Sequence, residues 1–154
     1  MQILALDGNS EQLFGFVIAL NHRGYSVDLV NDTAEACSRI RETRYDLLIV
    51  TSVLPSGVPN PISIITDDRR RGVAFLTYLG WQDPPPVTHA ILIDTCPSYF
   101  PEDLRHQSQR TGLVEVTVLE ASVETQTLLD EVHRIRIAQE IPMSRFANHR
   151  SPRP

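Results

Sequence analysis

The chain has 154 residues, the length of one domain, and 42% of them are hydrophobic, which is enough to bury a core. A formal net charge of −5 argues against non-specific nucleic-acid binding, and an N-terminal apolar run that breaks at Asp7 predicts neither a signal peptide nor a membrane span. All 14 basic residues are arginines, so any mechanism that needs a lysine amine is excluded. We therefore expect a cytoplasmic protein that binds neither nucleic acid nor a membrane.

The first part of the chain has the pattern of two consecutive strand–helix units. Short apolar runs predict strands, apolar residues at helical spacing predict helices, and polar capping residues or a glycine mark the helix ends. The predicted elements are a strand at Ile3–Leu6, a helix capped by Asn9 or Ser10 that contains Leu13, Phe14, Phe16, Val17 and Leu20 and ends at Gly24, a strand at Tyr25–Val30, and a helix capped within Asn31–Thr33 that runs to about Thr43.

The same alternation continues through the rest of the chain, with a long loop after the third strand. The predicted elements are a strand at Leu47–Thr51, a helix from near Gly72 to Gly80, a strand at Ala90–Ile93, a short polar helix at Glu102–Gln109, a strand at Val114–Leu119 and a final helix from Val123 to about Ala138.

Strict alternation of strands and helices predicts an α/β fold. Right-handed crossovers return the chain to one parallel sheet, which helices then cover on both faces. We expect a five-stranded, doubly wound (βα)5 sheet of the flavodoxin-like order 2-1-3-4-5, whose sites form beyond the C-terminal ends of strands 1 and 3. The residues at those two ends are Asp7, Gly8 and Thr51.

Several segments, in this order and at this spacing, resemble the receiver domains of bacterial response regulators. The resemblance covers roughly Gln2 to Ala138 and implies a receiver-like domain at residues 1–140 that acts in two-component signal transduction. The remaining residues, 141–154, are rich in arginine and proline and are predicted to be a disordered tail. The matching segments are Ile3–Asp7 with Asn9–Gln12, Gly24–Val27, Asn31–Ala36 and Asp46–Pro55.

The chain departs from the receiver pattern at the residues that carry the family's chemistry. Receivers hold magnesium with an acidic pair after strand 1 and an acceptor aspartate on strand 3, and they place a lysine after strand 5. Here Asp7 is followed by Gly8, Thr51 stands at the acceptor position, and Val116–Ala121 offers no cation. One carboxylate is a poor magnesium site, and a threonine hydroxyl cannot form an acyl phosphate. The resemblance therefore implies a degenerate pseudo-receiver without a metal or another cofactor.

The vestigial phospho-acceptor pocket is expected to contain Asp7, Gly8, Thr51 and Thr95. Thr95 matches the hydroxyl residue that ends strand 4 in receivers, although a shift of one residue would place Asp94 there instead. The simpler interpretation is that the threonines hydrogen-bond to local backbone and that Asp7 caps the first helix, which is favoured over metal binding.

The loop at residues 56–71 is longer than connections in compact α/β units usually are. Ile62, Ile64 and Ile65 could cover the vestigial pocket. Arg69, Arg70 and Arg71 could contact a charged partner, against the alternative of a solvated helix start with mixed charge. Trp81 precedes a proline run and could also contact a partner, although packing in the core or at its rim is the simpler interpretation.

Two functional hypotheses follow. The first is a phosphorylation-independent interaction module, not an enzyme, that binds a signalling protein or forms a homodimer through strands 4 and 5 and the final helix. The second is a small-molecule-binding or catalytic protein that uses a remodelled crevice with Asp7, Thr51, Asp94 and Thr95. A deep polar crevice would favour the second hypothesis, and a crevice filled by Ile62 or Ile65 the first.

Overall fold

The computed structural model of the protein describes residues 1–8, 13–54, 71–82, 84–94 and 115–141. These residues contain one sheet of five parallel strands in the order β2-β1-β3-β4-β5, so the predicted fold class and strand order are confirmed. The strands are β1 (Gln2–Leu6), β2 (Ser26–Val30), β3 (Leu47–Thr51), β4 (His89–Asp94) and β5 (Glu115–Glu120).

Four helices lie among the described residues, and their bounds agree with the predicted ones to within a few residues. The predicted polar helix at Glu102–Gln109 and the tail beyond Ile141 lie outside the described residues. The helices are α1 (Phe14–His22), α2 (Thr33–Glu42), α3 (Arg71–Gly80) and α4 (Thr125–Glu140).

The sheet separates two apolar layers, because successive side chains of a strand point to opposite faces. Central strands that are buried on both faces consist of unbroken apolar runs, which is why β1, β3 and β4 could be recognised from the sequence. One layer contains Leu4, Leu6, Leu48, Val50, Leu92 and residues of α2 and α3; the other contains Ile3, Ala5, Leu47, Ile49, Ile91 and residues of α1 and α4.

The start of α1 differs from the prediction. The helix begins at Phe14 after Leu13, which provides no side-chain cap, so the prediction of Asn9 or Ser10 as the N-cap is wrong for the described helix. At α2 the predicted capping segment is confirmed, because the Asp32 side chain accepts a hydrogen bond of 2.7 Å from the Glu35 N–H.

The outer surface of α1 is unusually apolar. Phe14 is 57% exposed and Ile18 is 43% exposed, one helical turn apart on the side away from the sheet. None of the helices in the described ranges is long and apolar enough to cross a membrane.

Candidate functional site

The C-terminal ends of β1, β3 and β4 bring together the polar residues that the sequence pointed to. Asp7 and Thr51 have 0% exposed surface, and Asp94 is 6% exposed. Leu6 pairs with Val50 across β1 and β3, so the next residues, Asp7 and Thr51, lie opposite each other. The edge is therefore a buried polar layer.

Thr51 is satisfied by its own backbone neighbourhood. Its hydroxyl donates a hydrogen bond of 3.2 Å to the carbonyl oxygen of Val53, two residues further along the chain. This is the local contact that the simpler interpretation of the sequence expected for threonines at strand ends. A buried secondary hydroxyl that donates to a carbonyl provides no carboxylate for an acyl phosphate or for a magnesium ion.

Asp7 is engaged with the start of α1. Its Oδ2 accepts a hydrogen bond of 2.7 Å from the Leu13 N–H, and its own N–H donates to the Val30 carbonyl at 3.0 Å. A carboxylate in this position stabilises the positive end of the helix dipole. This hydrogen bond supports the interpretation that Asp7 caps the first helix. The next residue, Gly8, adds no carboxylate to the edge.

A second polar pair, Ser52 and Asp94, lies on the opposite side of the sheet. The Ser52 hydroxyl donates to Asp94 Oδ1 at 3.4 Å, and the Ser52 N–H donates to the Ile93 carbonyl at 3.0 Å. Strand alternation places Asp94 in the layer of Leu92 and Asp7 in the other layer. Asp94 therefore does not replace the missing acidic neighbour of Asp7.

The described residues contain no cluster of three or more histidine, cysteine, aspartate or glutamate side chains that could hold a metal ion. The end of β5 also lacks the cation of the receiver pattern. Exposed Glu120 ends the strand there, and the N–H of Ala121 donates to the Asp94 carbonyl at 2.9 Å. The chemistry available at this edge, as far as it is described, is hydrogen bonding around one carboxylate on each face.

The first turn of α3 lies directly on the backbone at the end of β3. The Gly72 N–H donates to the Ser52 carbonyl at 3.0 Å, and a Cβ at residue 72 would lie 2.2 Å from the Thr51 carbonyl oxygen. Only a glycine permits this approach. This contact was not predicted from the sequence, in which a glycine at the start of a predicted helix was the one available signal.

Two of the residues predicted to contact a partner, Arg71 and Trp81, lie within the described ranges. Arg71 is only 8% exposed, so the alternative of a solvated helix start is wrong for this residue, while its role as a partner contact stays a prediction. Trp81 is 69% exposed, so the interpretation that it packs in the core or at its rim is also wrong, and its role as a partner contact stays a prediction. The residues Ile62, Ile64, Ile65, Arg69, Arg70 and Thr95 lie outside the described ranges.

The small-molecule hypothesis needs Asp7 and Thr51 to line an open crevice. Both side chains have 0% exposed surface, and both make the hydrogen bonds described above. The geometry of the described residues therefore gives this second hypothesis no support.

Solved structures of receiver domains match almost the whole chain. A response regulator receiver domain protein (CheY-like) of Methanospirillum hungatei is 16% identical with a TM-score of 0.66, and the match covers 92% of this chain and 98% of that one. The signal receiver domain of an HD domain-containing protein of Pseudomonas fluorescens is 20% identical with a TM-score of 0.68, at the same two coverages. A two-component response regulator of Clostridium difficile is 18% identical with a TM-score of 0.67, covering 91% and 98%.

The chain has the fold of response-regulator receiver domains. No protein-family profile matches it, and no curated protein matches it significantly. At these identities the structural likeness shows the fold alone, so function has to be argued from the site.

Proposed function

We propose that this chain is a degenerate receiver domain that acts in bacterial signalling as a phosphorylation-independent interaction module. The observation that carries the proposal is Thr51, which stands at the end of β3 with 0% exposed surface and its hydroxyl bonded to the Val53 carbonyl. A receiver needs a carboxylate at this position to accept a phosphoryl group, and a threonine here offers none.

The surroundings of Thr51 argue in the same direction. Magnesium in a receiver is held by several hard oxygen ligands at one edge of the sheet. On the face shared by β1 and β3 the only described carboxylate at this edge is Asp7, and it already accepts the Leu13 N–H. Asp94 belongs to the other layer of side chains, bonded to Ser52. A change of one residue would therefore not recreate the metal site.

An interaction role requires surfaces that can bind another protein. Large apolar side chains are exposed on three described helices or their ends: Phe14 and Ile18 on α1, Trp81 after α3, and Ile137 on α4. Ile137, at 46% exposure, lies on α4, the final helix, which belongs to the surface by which similar domains dimerise. The partners we propose are a cytoplasmic signalling protein and a second copy of this chain.

The first experiment exposes the wild-type protein to acetyl phosphate with and without magnesium and measures its intact mass. We expect no adduct, because no carboxylate stands at residue 51, and no change in tryptophan fluorescence or amide NMR signals during a magnesium titration. A labile adduct of one phosphate would show that the chain has kept a phosphoryl switch, and it would overturn the proposal.

A pair of variants makes the experiment sharper. Thr51→Asp alone should remain unlabelled by acetyl phosphate, because the second acidic residue and the lysine are still absent. A Gly8→Asp, Thr51→Asp double variant provides three carboxylates on β1 and β3 and should bind magnesium measurably, which serves as the positive control. Labelling of Thr51→Asp by itself would refute this account of the site.

A further inference from the structure

The side of α1 that faces away from the sheet has the composition of a packing surface. Phe14 is 57% exposed and Ile18 is 43% exposed there, while Leu20 on the opposite side of the helix is fully buried. No charged side chain occurs from Phe14 to Asn21. A helix that is apolar on all sides is usually buried on all sides. The outer face of α1 is therefore suited to a covering segment, and the described residues leave it open.

The chain leaves the described structure close to this face. The Tyr25 N–H donates to the Leu20 carbonyl at 3.2 Å, so Tyr25 lies at the C-terminal end of α1. The guanidinium carbon of Arg136, on α4, lies 5.9 Å from the centre of the Tyr25 ring. The last turns of α4 therefore lie beside the end of α1, and the chain continues from Ile141, which follows the last residue of α4.

The end of α4 also turns the chain away from the helix axis. Pro142 comes next in the sequence, and a proline disfavours the helical conformation in the residue before it. Ile141 accordingly has an extended backbone, with φ −71° and ψ 113°. The residues that follow can thus run back towards α1 instead of prolonging α4.

We propose that the first part of the segment 142–154 folds back over the outer face of α1, with Phe146 packed against Phe14 and Ile18. The segment contains two large apolar side chains, Met143 and Phe146, and no acidic residue. Phe146 follows the end of the described structure by five residues, which can span up to about 17 Å. The helix α1 has 9 residues and is therefore about 13.5 Å long and roughly 10 Å wide. Phe146 can reach the exposed pair on α1 over these distances.

A second copy of the chain is the alternative occupant of this face. Two α1 faces of this size would bury only a few hundred Å² between two molecules, well below the roughly 1,200 Å² of a stable interface. A tethered segment needs less area, because a short flexible linker gives it an effective concentration in the millimolar range. A contact that is too weak to hold two molecules together can therefore hold this segment in place.

The docking does not rest on the proposed interaction function, because it takes place within one chain. If the protein acts as an interaction module, the segment must leave α1 before a partner can bind Phe14 and Ile18, and only this consequence rests on the proposed function. The predicted disorder of the tail would then apply to the residues after Phe146, which include two of its three arginines and two of its three prolines.

The exposure of the Ile18 methyl groups to a soluble gadolinium chelate tests the docking in the whole chain. We expect these methyl groups to relax at least about twofold faster in Phe146→Ser than in the wild type, as for a contact populated about half of the time at millimolar effective concentration. In Asn148→Ser, a change in the same segment, the rate should equal that of the wild type. The indole N–H of Trp81, which follows α3 on the other side of the sheet, serves as the reference in all three proteins.

The wild type should also show a nuclear Overhauser effect between the Phe146 ring and the Ile18 methyl groups. Equal relaxation of Ile18 in the wild type and in Phe146→Ser would overturn the proposal, because the segment would then not cover α1. A difference that disappears when the wild-type protein is diluted would overturn it as well, since the cover would then come from a second copy.

Discussion

The contact between Gly72 and the end of β3 leads to a test of how the edge of the sheet is packed. In Gly72→Ala, the new Cβ would lie 2.2 Å from the Thr51 carbonyl oxygen and 2.9 Å from the Ser52 Cα, whereas ordinary contacts begin at 3.4 Å. Both neighbours are backbone atoms at the buried C-terminal end of β3 and cannot rotate away. The first turn of α3 must therefore move by more than 1 Å.

The expected cost has two parts. Overpacking of this kind typically costs 1–3 kcal/mol, and the displacement also weakens the Gly72 N–H bond to the Ser52 carbonyl, which is worth about 1 kcal/mol. Alanine's better helix propensity offsets about 0.5–1 kcal/mol of this cost. We therefore expect Gly72→Ala to lower the free energy of unfolding by roughly 2 kcal/mol, a sizeable share of the roughly 5–15 kcal/mol of a typical domain. Urea denaturation followed by circular dichroism measures this change.

Gly15→Ala is the matched control, because Gly15 is also helical but a Cβ there would meet nothing within 4 Å. Alanine is the better helix former, so this variant should be about 0.5–1 kcal/mol more stable than the wild type. The same substitution at two helical glycines should therefore change stability in opposite directions. A Gly72→Ala protein within 0.5 kcal/mol of the wild type would refute the argument from close packing.

Three further predictions concern single side-chain contacts. Asp32→Ala removes the N-cap of α2 and should lower the free energy of unfolding by about 1 kcal/mol in urea denaturation. Burial and the 2.6 Å bond to Asp28 raise the pKa of Tyr45 to about 12, so the stability from this pair is present below pH 10 and lost as the pH rises through 12. In an absorbance titration, Tyr45→Phe should remove the tyrosine ionisation near pH 12. The hydrogen bond from Arg134 lowers the pKa of Glu131. Arg134→Met should therefore raise that pKa in an NMR titration. The variant should also lose the free energy of folding that this pair contributes above pH 4.5 and that the wild type loses as the pH falls.

The sheet could be predicted from the sequence because its signal is local and strong. Leu47–Thr51 was recognised with its observed bounds, since a strand buried on both faces shows as an unbroken apolar run between polar turns. Gly24 is the one glycine among the described residues with a positive φ, at +87°. It follows the end of α1, where the sequence predicted the helix to end. Helix order and strand order then follow from right-handed crossovers.

The start of α1 could not be predicted in the same way. The Leu13 N–H is bound by Asp7, which lies six residues upstream at the end of another element. Capping rules search for a polar residue immediately before the helix and therefore selected Asn9 or Ser10. The contact depends on where the fold places the end of β1, and this position cannot be predicted from a local sequence pattern.

The exposure of Arg71 and Trp81 was misjudged for a related reason. A charge run is usually solvated, but Gly72 brings the helix onto β3 and draws the preceding Arg71 inside to 8% exposure. Trp81 follows the last residue of α3, and its 69% exposure depends on the direction in which the helix ends. Residue type predicts how often arginine and tryptophan side chains are buried on average. The exposure of Arg71 and Trp81 depends instead on how α3 packs against the sheet.

The same close packing would also hinder a phospho-acceptor carboxylate introduced at residue 51. A carboxylate introduced by Thr51→Asp would face Asp7 across β1 and β3 at positions that have 0% exposed surface. Two buried carboxylates repel each other, and without a metal ion one of them takes up a proton. At the same time α3 covers the backbone of residue 51 through Gly72. Under the proposed function, a phosphoryl acceptor at residue 51 would therefore need a second acidic residue and a repacked edge as well, so a working switch would need several simultaneous changes.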